Sequence, residues 1–224
     1  MSKASSLQRR LEREIIDVIN ALVHAGLADS QTYPSSRNFA PNSWAVSTDG
    51  DRLGGALRAE PYRDIYERLL SDGTFGVLLL DRALLQFSYE GSGPHIIRHR
   101  LAYLPSPDLN PFQNDADAYI CDMQFVEIVG HQIVPVPVRF DYDAREGVSE
   151  DVSHPVSHLT LGQYKHCRIP VDRAVSPSEF TTFIIKSFYT TPQIDSPVFP
   201  LHVTELPSTI TERERAQAHV RLSN

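Results

Sequence analysis

The feature that most constrains this chain is a stretch between residues 75 and 104 in which strand-length segments alternate with very short turns. Phe75 to Leu80 is continuously apolar, Asp81-Arg82 reads as a tight turn, and Ala83 to Glu90 alternates as a second strand. Gly91 to Pro94 turns the chain again before Ile96 to Leu104. Turns this short join antiparallel neighbours, because a parallel crossover needs about a dozen residues or more. In the third segment Ile97, His99, Leu101 and Tyr103 alternate with Ile96, Arg98, Arg100 and Ala102. Arg98 and Arg100 therefore point one way and His99 the other. This polar stripe is a candidate anion site, set against the plainer reading of a solvated strand face.

Helical patterns flank the strands. Leu7, Leu11, Ile15, Val18, Ile19, Leu22 and Val23 recur at spacings of three and four, predicting an N-terminal helix within residues 1–27 that stops at Gly26. Pro61 suits the first turn of a second helix ending near Asp72-Gly73, with Tyr62, Ile65, Tyr66, Leu69 and Leu70 on its apolar side. Ser176-Pro177-Ser178-Glu179 combines a capping serine, an early proline and a glutamate that completes a capping box. The helix it starts should run to about Tyr189 and bury Phe180, Phe183, Ile184 and Phe188. Thr211 and Glu214 offer a second capping box, so residues 205–224 read as a helical tail.

Between these elements, residues 28–56 are polar and broken by Pro34, Pro41 and Gly54-Gly55, and they read as a long loop pinned by Trp44. Residues 119–129 and 132–142 suggest a hairpin around Gly130-His131, with Pro135 and Pro137 demoting its second arm to an edge or irregular strand. Short strands are expected at Val156 to Leu161 and Cys167 to Val171. The expected architecture is a single α+β domain over residues 1–224, a mainly antiparallel sheet flanked by N-terminal and C-terminal helices.

Composition narrows the function classes. A formal net charge of −7 argues against a broad nucleic-acid-coating surface, though not against a small basic cleft. No apolar run approaches the roughly 20 residues that span a bilayer. The N-terminus MSKASSLQRRLERE lacks an apolar signal core, so no membrane partner and a cytoplasmic location are expected. Cys121 and Cys167 form no CxxC pair and read as reduced, partly buried side chains.

The densest polar cluster is RFDYD, Arg139 to Asp143, followed by HPVSHLTLG from His154 to Gly162. On a strand Arg139, Asp141 and Asp143 share a face, and so do His158, Thr160 and Gly162. His154 and His158, four apart, would lie on one side of a strand. Such histidines can act as acid and base, since imidazole titrates near neutral pH. Alternatively His154, His158, Asp141 and Asp143 could hold a divalent metal as cofactor. Arg168, Lys165 and Thr160 could bind phosphate, with Arg139 steadying developing charge. The plainer reading is that Arg139 pairs only with Asp141 and that a histidine caps a turn. His158-Leu159-Thr160 and His202-Val203-Thr204 also resemble the paired His-x-Thr strands of two-histidine phosphoesterases, at about half the usual separation.

The succession "LLLDRALLQFSYE", "RHRLAYLPSP", "PVRFDYD", "HPVSHLTLGQYKHCRIPV" and "FIIKSFY" resembles the bacterial DUF2290 family, a domain of unknown function, over roughly residues 70–190. A looser likeness of order links the chain to bacterial toxin proteins of the TumE type. That likeness points to Arg139, Asp141, His154 and His158. The expectation is a phosphodiesterase or nuclease-like component of a bacterial defence or toxin–antitoxin system, acting on a nucleic acid or nucleotide. The alternative is a non-catalytic interaction subunit of a multi-protein defence complex, docking a protein partner through residues 7–23.

Overall fold

The computed structural model describes residues 5–40, 42–48, 60–107, 136–164, 166–189 and 202–222. The helices are α1 (Ser6–His24), α2 (Tyr62–Ser71), α3 (Pro177–Phe188) and the single turn α4 (Glu212–Arg215). The strands are β1 (Ala28–Gln31), β2 (Ser35–Ala40), β3 (Ser43–Ser47), β4 (Val77–Leu79), β5 (Leu84–Ser92), β6 (His95–Leu104), β7 (Val138–Asp143), β8 (Ser157–Leu161) and β9 (Ile169–Pro170). All pairings between them are antiparallel, in the order β1-β4-β5-β6-β7-β8-β9, with β3 also alongside β5 and β2 outside β3. The fold is therefore α+β, as the short turns require.

Strand alternation divides the sheet into two unlike faces. Leu85, Phe87, Tyr89, Leu101, Tyr103, Phe140 and Leu159 enter one core cluster together with α1 and α3. Leu7, Leu11, Ile15, Val18, Ile19 and Leu22 of α1 are all buried in it. Each such side chain contributes roughly 1.5–3 kcal/mol by leaving water. Of the 7–23 stripe expected to dock a partner, these six residues pack into the chain's own core, and Val23 is 39% exposed. The capping box of α3 forms as predicted, Ser176 and Glu179 exchanging side-chain and backbone hydrogen bonds. Phe180 packs edge-on against Phe140 and Phe87.

On the opposite face, α2 covers only one end. Tyr66 and Phe75 close a smaller cluster with Leu78, Leu84, Ala102 and Leu104. The remainder of that face, on β5 to β8, carries the polar residues.

Two expectations need correcting. Residues 28–56 are not one loop: β1, β2 and β3 form there. Trp44 does pin the segment, buried on β3 with its indole N–H donating to the Gly93 carbonyl at 2.9 Å. The indole lies so close to Gly91 that a Cβ there would sit 2.1 Å from Trp44 Cζ2, so only glycine fits. The tail is not helical either. Among the described residues 202–222 only Glu212–Arg215 is helix, and isolated bridges tie Val220 to Val171 and Ser208 to Arg173. The Thr211 and Glu214 capping box is present but starts a single turn. The first arm of the predicted hairpin at 119–129, with Cys121, and its turn at Gly130-His131 lie outside the described residues; within the expected second arm at 132–142, β7 is an interior strand paired with β6 and β8, not the edge strand that Pro135 and Pro137 suggested.

Candidate functional site

The polar face is built by register. Arg100 of β6, Asp141 of β7 and His158 of β8 are cross-strand neighbours in one row, with Ser88 of β5 at its end. The adjacent row holds Gln86, Ala102, Arg139 and Thr160. The row on the other side holds Glu90, Arg98 and Asp143. The intervening residues Leu101, Phe140 and Leu159 are drawn into the core beneath α1 and α3. Their burial forces every second side chain to the far face. The sequence expectation that Arg139 and Asp141, and His158 and Thr160, share a face is thereby met.

Asp141 is the hub. Arg100 Nε donates to its Oδ1 at 2.9 Å, and Arg139 Nη2 lies 3.5 Å from its Oδ2. Burial alone would raise the Asp141 pKa, but the charges of Arg139 and Arg100 outweigh it and hold the carboxyl down to about 2. Asp141 is therefore a carboxylate at any ordinary pH. It serves as a clamp for two guanidinium groups rather than as a proton carrier.

His158 has the opposite character. Its Nδ1 lies 2.9 Å from the Pro155 carbonyl, which can only accept, so Nδ1 carries the proton and Nε2 keeps a lone pair. Burial lowers its pKa to about 4, against the raising pull of Asp141. At pH 7 it is neutral. It is a hydrogen-bond acceptor and proton acceptor through Nε2, and any imidazolium formed there is stabilised by Asp141. His154 is not on the strand as expected. It lies in the loop before β8, in an isolated bridge to Glu150, yet its ring meets that of His158 at 5.2 Å, edge-on. Arg168 donates to the Ser153 carbonyl, and its charge contributes to the low pKa of His158.

The remaining expected residues divide. Thr160 is buried one position from His158 on the same face. Asp143 is engaged by Arg145 through two bonds, at 2.8 and 2.6 Å. Lys165 lies outside the described residues. Among the described residues no three His, Cys, Asp or Glu side chains are placed to hold a metal ion, and Asp141 and Asp143 face guanidinium groups instead. The cluster is more enclosed than an open hollow, with His158 only 4% and Arg139 6% exposed.

Arg100 is the member that local pattern did not assign to this cluster. Its stripe reads as an anion site on β6, but its pairing with Asp141 depends on β7, which follows only after residues 105–137. His99, also in that stripe, points into the helical side. It is fully buried, accepts the Val175 backbone N–H on Nε2 at 2.9 Å and stacks on Tyr142. Burial pushes its pKa down to about 3, so it is a neutral structural histidine. The two His-x-Thr triplets do not face each other. The Thr204 backbone N–H donates to Glu14 of α1 and the His202 carbonyl accepts from Ser178 of α3, both on the helical side of the sheet, whereas His158 lies on the polar side. The two-histidine phosphoesterase arrangement is thus excluded.

Among known proteins, the family described as "Uncharacterized conserved protein (DUF2290)" matches residues 27–222. No curated protein and no solved structure matches the chain. Among the described residues no helix is long and apolar enough to cross a membrane.

Proposed function

The chain belongs to the DUF2290 family, and on that footing we propose that it is a phosphodiesterase or nuclease-like protein working from the polar face of its sheet. The observation that carries this reading is the row Arg100–Asp141–His158, with Arg139 and Thr160 beside it. It joins a neutral imidazole, the carboxylate that would stabilise its protonated form, and two guanidinium groups held rigid by that carboxylate. His158 Nε2 would take the proton from an attacking water or hydroxyl. Arg100, Arg139 and Arg168 would stabilise charge developing on phosphate oxygens, where fixed donors act most strongly. Thr160 would donate a hydrogen bond to the same group, and His154 would serve as the acid. The biological setting proposed is a bacterial defence or toxin–antitoxin system, a reading that rests on the resemblance in sequence order to TumE-type proteins.

The test is hydrolysis of a panel of RNA, single-stranded DNA, duplex DNA and bis(p-nitrophenyl) phosphate by the wild type and by His158→Asn. General base catalysis contributes about 100- to 10,000-fold. The account requires at least a hundredfold loss of kcat in a variant whose circular dichroism is unchanged. Full activity in that variant would remove His158 from the chemistry.

A second reading follows from the small exposure of His158 and Arg139. Here the same residues form a polar pin that fixes the register of β6, β7 and β8, and the protein is a non-catalytic interaction subunit. An inactive wild type across the whole panel, with His158→Asn clearly less stable, would favour it.

A further inference from the structure

We infer that the C-terminal segment is a clamp that positions the proposed acid: Glu214, with Thr211 and Arg213, holds a strained turn at Val152, and that turn holds the His154 ring against His158. The inference rests on the phosphoryl reading for the role of His154. It adds positioning residues from a part of the chain that this reading does not use.

Val152 has φ +71°. The other non-glycine residues with positive φ among the described residues are Asn42 and Arg82, neither of them β-branched. A branched Cβ crowds the backbone in this region, which glycine enters freely. The Ser153 N–H donates to the Asp151 carbonyl, two residues back, at 2.9 Å. Val152 is therefore the centre of a γ-turn of the positive-φ kind, which is rare and strained. Around it Glu150 and His154 close a hairpin, each backbone N–H donating to the other's carbonyl, at 2.9 and 2.8 Å. The turn thus fixes where His154 stands. Its ring lies 5.2 Å from the His158 ring, edge-on.

A strained conformation persists only where its surroundings hold it. Here the holding groups come from the tail. The Val152 N–H donates to Glu214 Oε1 at 3.4 Å, and Glu214 is only 3% exposed. Asp151 accepts from Thr211 Oγ1 at 2.6 Å and from Arg213 Nη1 at 3.0 Å. Glu214 is itself fixed, since its Oε2 accepts the Thr211 N–H at 2.9 Å in the capping box of α4. The tail is tied down on both sides of α4. The Thr209 N–H donates to the Asp172 carbonyl at 3.0 Å, and the Val220 N–H donates to the Pro170 carbonyl at 2.8 Å. Pro170 belongs to β9, which pairs with β8, the strand of His158. The clamp and the histidine pair it serves are therefore anchored to the same two strands.

In the proposed reaction His158 Nε2 takes a proton from water and the water oxygen bonds to phosphorus. The leaving oxygen departs with its electron pair and takes a proton from His154. Acid help matters most when the leaving oxygen is strongly basic. A displaced His154 therefore slows a poor leaving group and spares a good one.

The experiment compares the full-length wild type, Glu214→Ala, Val152→Gly and the double variant. Two readouts are taken: the nuclear Overhauser cross-peak between the ring protons of His154 and His158, and kcat on diphenyl phosphate and bis(p-nitrophenyl) phosphate. Glycine takes positive φ without strain, so replacing Val152 makes the clamp dispensable. Glu214→Ala should lose the cross-peak and about tenfold or more of its rate on diphenyl phosphate, the poorer leaving group. On the p-nitrophenyl ester it should stay within about twofold of wild type. Val152→Gly should behave as wild type, and the double variant should recover both the cross-peak and the diphenyl phosphate rate. Should Glu214→Ala not fold, Asp151→Ala, at an exposed position, takes its place with the same expectations. A cross-peak that survives loss of the clamp, an equal loss on both esters, or a double variant no better than the single one overturns the inference. A wild type inactive on both esters, with the cross-peak lost and recovered as expected, brings down the phosphoryl reading and leaves the clamp. Hydrolysis that depends on His158, with a cross-peak indifferent to Glu214 and Asp151, does the reverse.

Discussion

Replacing Asp141 by asparagine removes the one charge that Arg100 and Arg139 share. Its pKa lies at about 2, against an ordinary 3.8. At about 1.36 kcal/mol per pKa unit, this corresponds to roughly 2 kcal/mol of folding stability at neutral pH. The side chain is only 16% exposed, so solvent screening takes little from this figure. The folded-state pKa is depressed. The contribution is therefore complete above the unfolded value near 4 and is lost as pH falls toward 2. About 1 kcal/mol of it should be gone by pH 3. The variant also leaves two guanidinium groups facing a neutral amide, and breaking a buried pair in this way costs roughly 3–5 kcal/mol. The asparagine oxygen still accepts one bond, so a loss of about 2–4 kcal/mol at pH 7 is expected. Urea denaturation of both proteins at pH 7 and pH 3 measures it. With a slope near 2 kcal/mol per molar, the midpoint should fall by roughly 1–2 M at pH 7 and by less at pH 3. A midpoint shift below about 0.2 M at pH 7, or one identical at the two pH values, would refute the ion-pair argument.

Other consequences are as direct. Gly91→Ala places a methyl 2.1 Å from the Trp44 ring and 2.5 Å from the His95 carbonyl. It should cost about 3 kcal/mol and shift the fluorescence of Trp44, the single tryptophan; a wild-type melting curve would contradict the packing. Glu14, buried on α1, accepts the backbone N–H groups of Ser178 and Thr204 at 2.9 and 3.0 Å. Glu14→Gln turns an amide group toward one of those donors. It should lower the melting temperature by roughly 4–8 °C, for about 2 kcal/mol, and a change under 1 °C would deny that carboxylate its role.

The parts of the fold that local chemistry dictates were legible in the sequence. Ser176, Pro177 and Glu179 place the start of α3 because the capping box is a property of four adjacent residues. The hairpin of β4 and β5 follows from a two-residue turn between apolar runs. Strands β1 and β2 escaped because their residues are largely exposed, so Ser35, Ser36, Arg37 and Asn38 show no alternation of polarity. In 28–56 the proline and glycine signals outweigh any strand pattern. The tail departs from its expected helix for a different reason: Thr211 and Glu214 cap a helix, but nothing in a cap fixes its length. In the site, period-two alternation placed Arg139 with Asp141 and His158 with Thr160. It could not place Arg100 beside Asp141, since that contact depends on which distant strands pair. Nor does any local pattern reveal that His158 is buried, which is what makes it neutral and changes its chemistry.

The claim on which the account turns is that His158 is a neutral imidazole whose Nε2 can meet a phosphoryl ligand. Nitrogen NMR of the 15N-histidine-labelled protein reads this directly, by titrating pH and then adding a phosphorothioate oligonucleotide that resists hydrolysis. The account predicts a His158 signal with the proton on Nδ1 that titrates only near pH 4, and an Nε2 resonance that moves on adding the ligand. A His158 signal titrating near the ordinary 6.5, or a His158 Nε2 resonance unmoved at saturating ligand, would contradict it.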